Sequence, residues 1–222
     1  VFYDDILQNV ENAKVNNNNE ELEKLVYISM LCNDTKVASD NTLTGDPTET
    51  ALVDMGFELD FRPAIYEEYP RVEEIPFDSD RKLMTTVHKI ENKYIVYTKG
   101  GIDELLSRCN SYILDGKVEN NLEEYKETID RNNEAMAQEA LRVLAMAYKE
   151  IDHIPTKEEM KNIENDLIFV GMVGMIDPPR EEAKKAVEKC KTAGIKTVMI
   201  TGDHKITAIA IARKLGILEN DE

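Results

Sequence analysis

The sequence predicts an α+β fold, with a mainly antiparallel sheet and flanking helices, followed by a partial α/β segment. Two runs rich in β-forming residues, "KLMTTVHKI" and "KYIVYT", are separated only by Glu91-Asn92, which indicates a β-hairpin. A second hairpin is indicated at "ILDGKVE", where Asp115-Gly116 suits a tight turn. Beyond "DPPR" the pattern becomes helix, strand and helix, which is typical of a parallel α/β sheet.

Two helices are predicted before the first hairpin. The first, "EELEKLVYISMLC", follows "VNNNN", whose last asparagines are predicted to cap it. One face of this helix carries four residues at helical spacing: Leu22, Leu25, Val26 and Ser29. In the second, "GDPTETALVDMG", Asp46 is the predicted N-cap, Pro47 suits the first helical position, and Glu49 completes a capping box.

The remaining elements divide the chain into two parts. "GGIDELLSRC" leads into a helix, a long helix runs from about Leu122 to Leu141, and "RVLAMAYKEI" and "LIFVGMVGMI" are predicted strands. "DPPR" ends regular structure because proline fixes φ and lacks a backbone donor. We therefore predict a first domain over 1–176, a hinge over 177–180, and a segment over 181–222 that contains the strand "KTVMIT" and the helix "KITAIAIARKLG".

Composition limits the classes of function. The 222 residues carry a net charge of −17, which argues against nucleic acid as a general partner. No apolar run is long enough to span a bilayer, so the chain is expected to be soluble. Three widely spaced cysteines suggest a reduced, cytosolic protein. The histidines are too scattered for a metal site and are predicted to be surface residues: His88, His153 and His204.

Two stretches carry residues that suit a nucleotide. "PFDSDRKLM" places Phe77 beside Arg81 and Lys82, so that a ring is available for a base and cations for phosphate. The alternative is a core phenylalanine flanked by solvated charges. "TKGG" adds Lys99 at the end of a strand, followed by Gly100; its alternative is a simple strand-to-helix turn.

Two further candidates also have plausible structural roles. The corner Thr201-Gly202-Asp203 follows a predicted strand, where α/β sheets place ligands, but Asp203 is also a normal N-cap. Arg142, at the entry to a strand, is a candidate phosphate ligand or only a surface charge. Neither G-x-x-x-x-G-K-[ST] nor G-x-G-x-x-G occurs, so side chains would have to hold any nucleotide.

The order of these motifs resembles one family over nearly the whole chain. "CND", "GDPTETAL", "PFDSDRKLM", "YTKGG", "ALRVLAMAY", "GMIDPPR" and "TGDHKITAIAIARKLGI" follow one another as in P-type cation-transporting ATPases, nearest to calcium pumps of the sarcoplasmic-reticulum type. The resemblance implies a nucleotide-binding domain that delivers ATP to a phosphorylation domain of haloacid-dehalogenase type. In such pumps Mg²⁺ assists phosphoryl transfer to an aspartate, and this transfer drives ion transport.

The resemblance also implies roles for individual residues. Phe77 would stack on adenine, with Glu49 and Lys82 nearby, and Lys99-Gly100 would line the pocket. Arg142 would reach the phosphates.

In the second domain the resemblance implies a phosphate site. Asp177 would lie at the hinge, while Thr201, Gly202 and Asp203 would belong to the site that holds the transferring phosphoryl group. The chain departs from the family at Gly101-Ile102, where Ala-Pro is usual, and at Ser79, where animal calcium pumps carry arginine. Weaker nucleotide affinity is the expected consequence.

The family's nucleophile motif, Asp-Lys-Thr-Gly-Thr, and its Mg²⁺ motif do not occur in the sequence. We therefore expect a piece of a pump on the cytoplasmic side of the membrane that binds ATP without turning it over. Its expected partners are ATP and the rest of the same pump, with self-association through 181–222. Two alternatives stay open: a phosphatase of haloacid-dehalogenase type with a large cap, and a non-catalytic interaction module.

Overall fold

The structure is a computed structural model that describes residues 1–13, 19–176, 181–201 and 205–218. The chain divides into two compact units: Val1–Ile129 with Leu144–Val173, and Asp130–Val143 with Gly174–Glu222. The predicted division into 1–176, 177–180 and 181–222 stays a prediction. It did not anticipate that 130–143 would group with the C-terminal unit.

The described residues form eleven strands and eight α-helices. The strands are β1 Phe2–Tyr3, β2 Ile6–Leu7, β3 Lys36–Val37, β4 Leu43–Thr44, β5 Arg71–Asp78, β6 Leu83–Ile90, β7 Lys93–Gly100, β8 Cys109–Leu114, β9 Lys117–Asn120, β10 Leu141–Ile151 and β11 Leu167–Ile176. The helices are α1 Glu20–Leu31, α2 Pro47–Glu58, α3 Ile65–Glu68, α4 Ile102–Leu106, α5 Leu122–Gln138, α6 Lys157–Met160, α7 Glu181–Thr192 and α8 Lys205–Leu215. A short 3-10 helix covers Val10–Asn12.

One large sheet organises the described strands. Its main path runs β2-β1-β11-β10-β7-β6-β5, and β8 joins β11 and β9. The β5–β6, β6–β7, β7–β10, β8–β9 and β1–β11 pairs are antiparallel, whereas β8 pairs with β11 in parallel. β3 and β4 form a separate antiparallel pair. The predicted α+β fold with a mainly antiparallel sheet is therefore confirmed.

Both predicted hairpins form. Ile90 pairs with Lys93 across the turn at Glu91-Asn92, and Leu114 pairs with Lys117 across Asp115-Gly116. Asp115 and Gly116 have φ values of 50° and 72°, the left-handed conformation that a two-residue hairpin turn of this kind requires.

Helix α1 packs one fully buried face into the core. The four residues predicted to share a face, Leu22, Leu25, Val26 and Ser29, are fully buried, and so are Ile28 and Met30. α2 lies close to α1 because Gly56 has no side chain. A Cβ there would lie 2.4 Å from Met30 Sδ. The last turn of α2 is thereby held next to the last turn of α1.

Several local predictions were wrong. Asn19 occupies the N-cap position of α1 but makes no side-chain cap bond. His88 is buried rather than exposed: its ring nitrogens lie 2.8 Å from the Tyr69 carbonyl oxygen and 2.9 Å from Thr86 Oγ1. β5 was not predicted, and Phe77 lies within this strand.

The second unit contains α7 and α8, the two helices predicted after the hinge. Between them, "KTVMIT" is not a strand, and no described strand pairs with it. Because a strand is defined by hydrogen bonds to a neighbour, a β-forming sequence alone does not suffice. Val198 and Ile200 are 70% and 95% exposed. Within the described residues, no helix is long and apolar enough to cross a membrane.

Candidate nucleotide site

A buried ion pair joins two of the predicted site residues. Lys99 Nζ lies 2.6 Å from Glu49 Oε1, and the two side chains are only 7% and 17% exposed. Lys99 is the penultimate residue of β7, and Glu49 is in the first turn of α2. Two residues fifty positions apart in the sequence thus form one charged unit at the edge of the first unit's core.

The surroundings of Glu49 explain why its predicted capping box does not form. Asp46 caps α2 through the Thr48 amide, which donates to Asp46 Oδ1 at 2.8 Å. The Glu49 carboxylate instead accepts from Lys99 and from the backbone amide of Asp34, at 3.1 Å. The Asn33 side chain fixes the same turn by donating to the Glu49 carbonyl oxygen. The Glu49 carboxylate binds Lys99 in preference to the backbone amide of the N-cap residue, because the lysine is a charged donor.

Phe77 is not part of the core. It is 61% exposed near the end of β5, beside the paired residues Asp78 and Leu83. Phenylalanine side chains are usually buried in a protein core, and the Phe77 side chain is not. The alternative of a core phenylalanine is therefore wrong, and the ring is accessible for stacking.

Lys82 and Gly100 are held together where β6 and β7 meet. Lys82 has a φ of 54°, and its carbonyl oxygen accepts from the Gly101 amide at 3.0 Å. A Cβ on Gly100 would lie 2.1 Å from that oxygen, so this position requires glycine. The register pairs Leu83 with Gly100 and Met84 with Lys99, so Lys82, immediately before β6, lies beside the end of β7 that carries Lys99.

A carboxylate also accompanies Lys82. Its Nζ lies 2.7 Å from Glu104 Oε1, and the side chains are 59% and 32% exposed. The hydrogen bond from Lys82 lowers the pKa of Glu104, and the bond to Glu104 raises the pKa of Lys82. Both candidate lysines are therefore charged donors that already contact a carboxylate.

The remaining predicted site residues belong to the second unit or lie outside the described residues. Arg142 is the second residue of β10 and belongs to the second unit. Thr201 is exposed, also in the second unit. Asp177, Gly202 and Asp203, like the predicted hinge 177–180, lie outside the described residues.

A cleft elsewhere in the first unit does not coincide with the candidate site. It has a volume of about 380 Å³ and is lined by residues of β10, of α6 and of the segments before and after α6, among them Lys149, His153 and Ile163. It includes none of the predicted nucleotide residues. The exposed Phe77 and the two lysines suit a nucleotide chemically, whereas this cleft is lined by no Phe, Tyr or Trp side chain. Among the described residues, no group of His, Cys, Asp or Glu suits a metal ion.

Comparison with known proteins identifies the family. The family model described as "P-type ATPase, cytoplasmic domain N" matches residues 21–182. The chain belongs to this family. The match covers α1, α2 and all of β5 to β11, and so includes every element that carries the Glu49, Phe77, Lys82 and Lys99 side chains.

Relatives of this N domain are considerably longer proteins. The chain is 46% identical over 99% of its length to "Calcium-transporting ATPase 1" of Bacillus cereus. It is 45% identical over 90% of its length to the protein of the same name of Lactococcus lactis. It is 33% identical over 96% to "Sodium/potassium-transporting ATPase subunit alpha-1" of Oreochromis mossambicus. The chain spans 24%, 23% and 23% of these relatives, about a quarter of their length.

Sequence reasoning missed the residues that support the candidate site. Asp34 contributes a backbone amide to Glu49, and Glu104 contacts Lys82. Arg71 donates to Asp34 Oδ1 at 2.8 Å and to the carbonyl oxygens of Leu31 and Asn33, which fixes the turn after α1. Acidic residues are so abundant in this sequence that composition alone does not single out Asp34 or Glu104.

Proposed function

We propose that this N domain binds ATP at Phe77, Lys82, Lys99 and Gly100. The observation that carries the proposal is the exposed Phe77 ring near the end of β5, next to the adjoining ends of β6 and β7, where Lys82 precedes β6 and Lys99 lies on β7. An accessible ring can stack on a base, and lysine side chains can meet phosphate oxygens. Stacking of a base on an aromatic ring contributes about 1–3 kcal/mol, so binding through this site is expected to be weak.

The proposal gives Glu49 an orienting role. It holds the Lys99 ammonium at 2.6 Å at the edge of the core, so that Lys99 meets a ligand from one fixed position. Gly100 lets the Lys82 carbonyl oxygen approach the end of β7, since a Cβ there would lie 2.1 Å from that oxygen, and so it keeps the Lys82 backbone beside Lys99.

An ATP titration followed by amide chemical shifts tests the proposal. Wild-type protein is expected to show saturable shifts around β5 to β7, and Phe77→Ala is expected to lose most of the affinity. Val118→Ala is the matched control, because Val118 is an exposed apolar residue of β9. Absence of a saturable shift in the wild-type chain would favour the interaction module, and unchanged affinity of Phe77→Ala would remove the ring from the site.

We further propose that this domain is part of a longer P-type pump that transports calcium. ATP bound here would supply the phosphoryl group for the Mg²⁺-assisted phosphorylation of an aspartate, and this phosphorylation would drive transport. The names of the bacterial relatives support calcium, and the family supports a position on the cytoplasmic side of the membrane. The remainder of the pump would be the partner of this domain. The phosphorylated aspartate is not among these 222 residues, so the chain alone is expected to form no phosphoenzyme, and its ATP affinity is expected to depend little on Mg²⁺.

The C-terminal segment completes the proposal. Residues 181–222 would begin a phosphorylation domain of haloacid-dehalogenase type after a hinge at 177–180, with Asp177, Arg142, Thr201, Gly202 and Asp203 near the phosphates. The exposed Val198 and Ile200 support self-association of the isolated chain through this segment. Light scattering on the chain and on Ile200→Lys tests this: a monomer in both would contradict it.

A further inference from the structure

The turn that follows Phe77 and strand β5 is tied to a buried carboxylate far away in the sequence. Arg81, four residues after Phe77, donates to Glu164 Oε1, and the two side chains are 21% and 8% exposed. Glu164 is therefore a nearly buried charge whose ionic partner lies 83 residues earlier in the chain. Nothing in the proposed ATP site requires Glu164 to touch a nucleotide.

The Arg81 guanidinium connects Glu164 to the residue immediately before Phe77. Its Nη2 donates to the Pro76 carbonyl oxygen at 2.7 Å. The backbone amide of Arg81 also donates to Asp78 Oδ1 at 2.9 Å, and the Lys82 amide donates to the Asp78 carbonyl oxygen. The backbone on both sides of Phe77 is thus fixed, while its ring remains exposed.

Glu164 is itself held in place. Its Oε1 accepts from Thr85 Oγ1 at 2.6 Å, and Thr85 Oγ1 lies 2.9 Å from Thr98 Oγ1, so the carboxylate is anchored on β6 and β7. The adjacent residue, Asn165, accepts from Arg108 at 3.0 Å and from Lys149 at 2.7 Å. A buried carboxylate with such support restricts its partner more than an exposed ion pair does.

We propose that Glu164 is a positioning residue for nucleotide binding: it acts through Arg81 and the Pro76 carbonyl to hold Phe77 where a base can stack on it. The inference rests on the proposed ATP site. Without Glu164, Arg81 keeps only part of its contacts, and the end of β5 around Phe77 samples positions in which the ring does not meet the base.

The test variant is Glu164→Gln, which preserves side-chain size but removes the charge. The ATP dissociation constant is expected to rise about threefold to tenfold, a fraction of what complete loss of stacking would cause. Glu158→Gln is the matched control. It breaks the ion pair between Glu158 and Lys161, in which the Glu158 side chain is 80% exposed and the Lys161 side chain 67%. The dissociation constant should stay unchanged. Glu164→Asp keeps the charge and should recover part of the affinity.

A double-variant cycle separates positioning from general destabilisation. If Glu164 acts through the ring, Glu164→Gln has no further effect on ATP affinity in a Phe77→Leu background. An equal loss of ATP affinity in the wild-type and Phe77→Leu backgrounds would overturn the inference, whether or not Glu164→Gln also lowers the unfolding temperature in each.

A readout without nucleotide makes the two proposals distinguishable. In protein labelled with 4-fluorophenylalanine, Glu164→Gln should shift or broaden the Phe77 resonance, assigned by its loss in Phe77→Leu. An unchanged resonance refutes the positioning role whether or not ATP binds. A changed resonance in a chain that does not bind ATP would preserve the placement of the ring and refute the proposed function.

Discussion

Replacing Glu49 with Gln leaves Lys99 as a cation with little access to water. The Lys99 side chain is 7% exposed, and breaking a buried pair by removing one partner typically costs about 3–5 kcal/mol. The cost here should lie below that range, at about 2–3 kcal/mol, because Glu49 is 17% exposed and the Gln amide oxygen can still accept from Lys99.

Urea unfolding at pH 7 measures this cost, with Glu104→Gln as control. That variant breaks the Lys82–Glu104 pair, which is 59% and 32% exposed, and should cost less than about 1 kcal/mol. The double variant Glu49→Leu/Lys99→Met should be more stable than Glu49→Gln, since it leaves no unpaired charge. Equal free energies of unfolding for Glu49→Gln and Glu104→Gln would refute the reasoning that burial makes the first pair important.

Three further predictions concern the same unit. Gly100→Ala should destabilise the protein by about 1–3 kcal/mol in urea unfolding, because its Cβ would lie 2.1 Å from the Lys82 carbonyl oxygen. Glu104→Gln should bind ATP about twofold to fivefold more tightly by calorimetry, because a weak exposed pair no longer competes for Lys82; weaker binding would contradict this. Burial lowers the pKa of His88 to about 4 from its ordinary 6.5, so the unfolded chain takes up the proton first as pH falls. Stability from this group is complete above about pH 6.5 and should fall by about 3 kcal/mol by pH 4, a loss absent from His88→Gln but retained in the exposed-histidine control His153→Gln.

The elements that the sequence predicted correctly are those specified by local signals. The hairpins at Glu91-Asn92 and Asp115-Gly116 depend on turn residues between β-forming runs, and α2 depends on Asp46 followed by Pro47. β5 was missed because its sequence, "RVEEIPFD", is acidic and contains a proline, and it lies at the end of the sheet, where such residues are tolerated.

Contacts between distant residues account for what the sequence did not predict. The carboxylate partner of Lys99 is fifty residues away, and that of Arg81 is 83 residues away. Local spacing assigned Glu49 to a capping box, because it carries no information about a lysine on another element. "KTVMIT" was predicted as a strand for a related reason: its residues favour β-structure, but pairing depends on a neighbour.

The pairing of both candidate lysines limits how much phosphate can contribute to binding. Lys99 and Lys82 contact carboxylates at 2.6 and 2.7 Å, so a phosphate gains each ammonium only by sharing it with Glu49 or Glu104. Base stacking on Phe77 meets no such competition, because the ring is 61% exposed. We therefore expect the dissociation constants of ATP, ADP and AMP to lie within about a tenfold range. Raising the salt concentration from about 50 to 300 mM should weaken binding only slightly, because few unpaired charges are available to be screened. Calorimetric titrations of the three nucleotides at both salt concentrations measure this, and a much steeper dependence on phosphate number or on salt would show that the lysines exchange their carboxylates for phosphate at little cost.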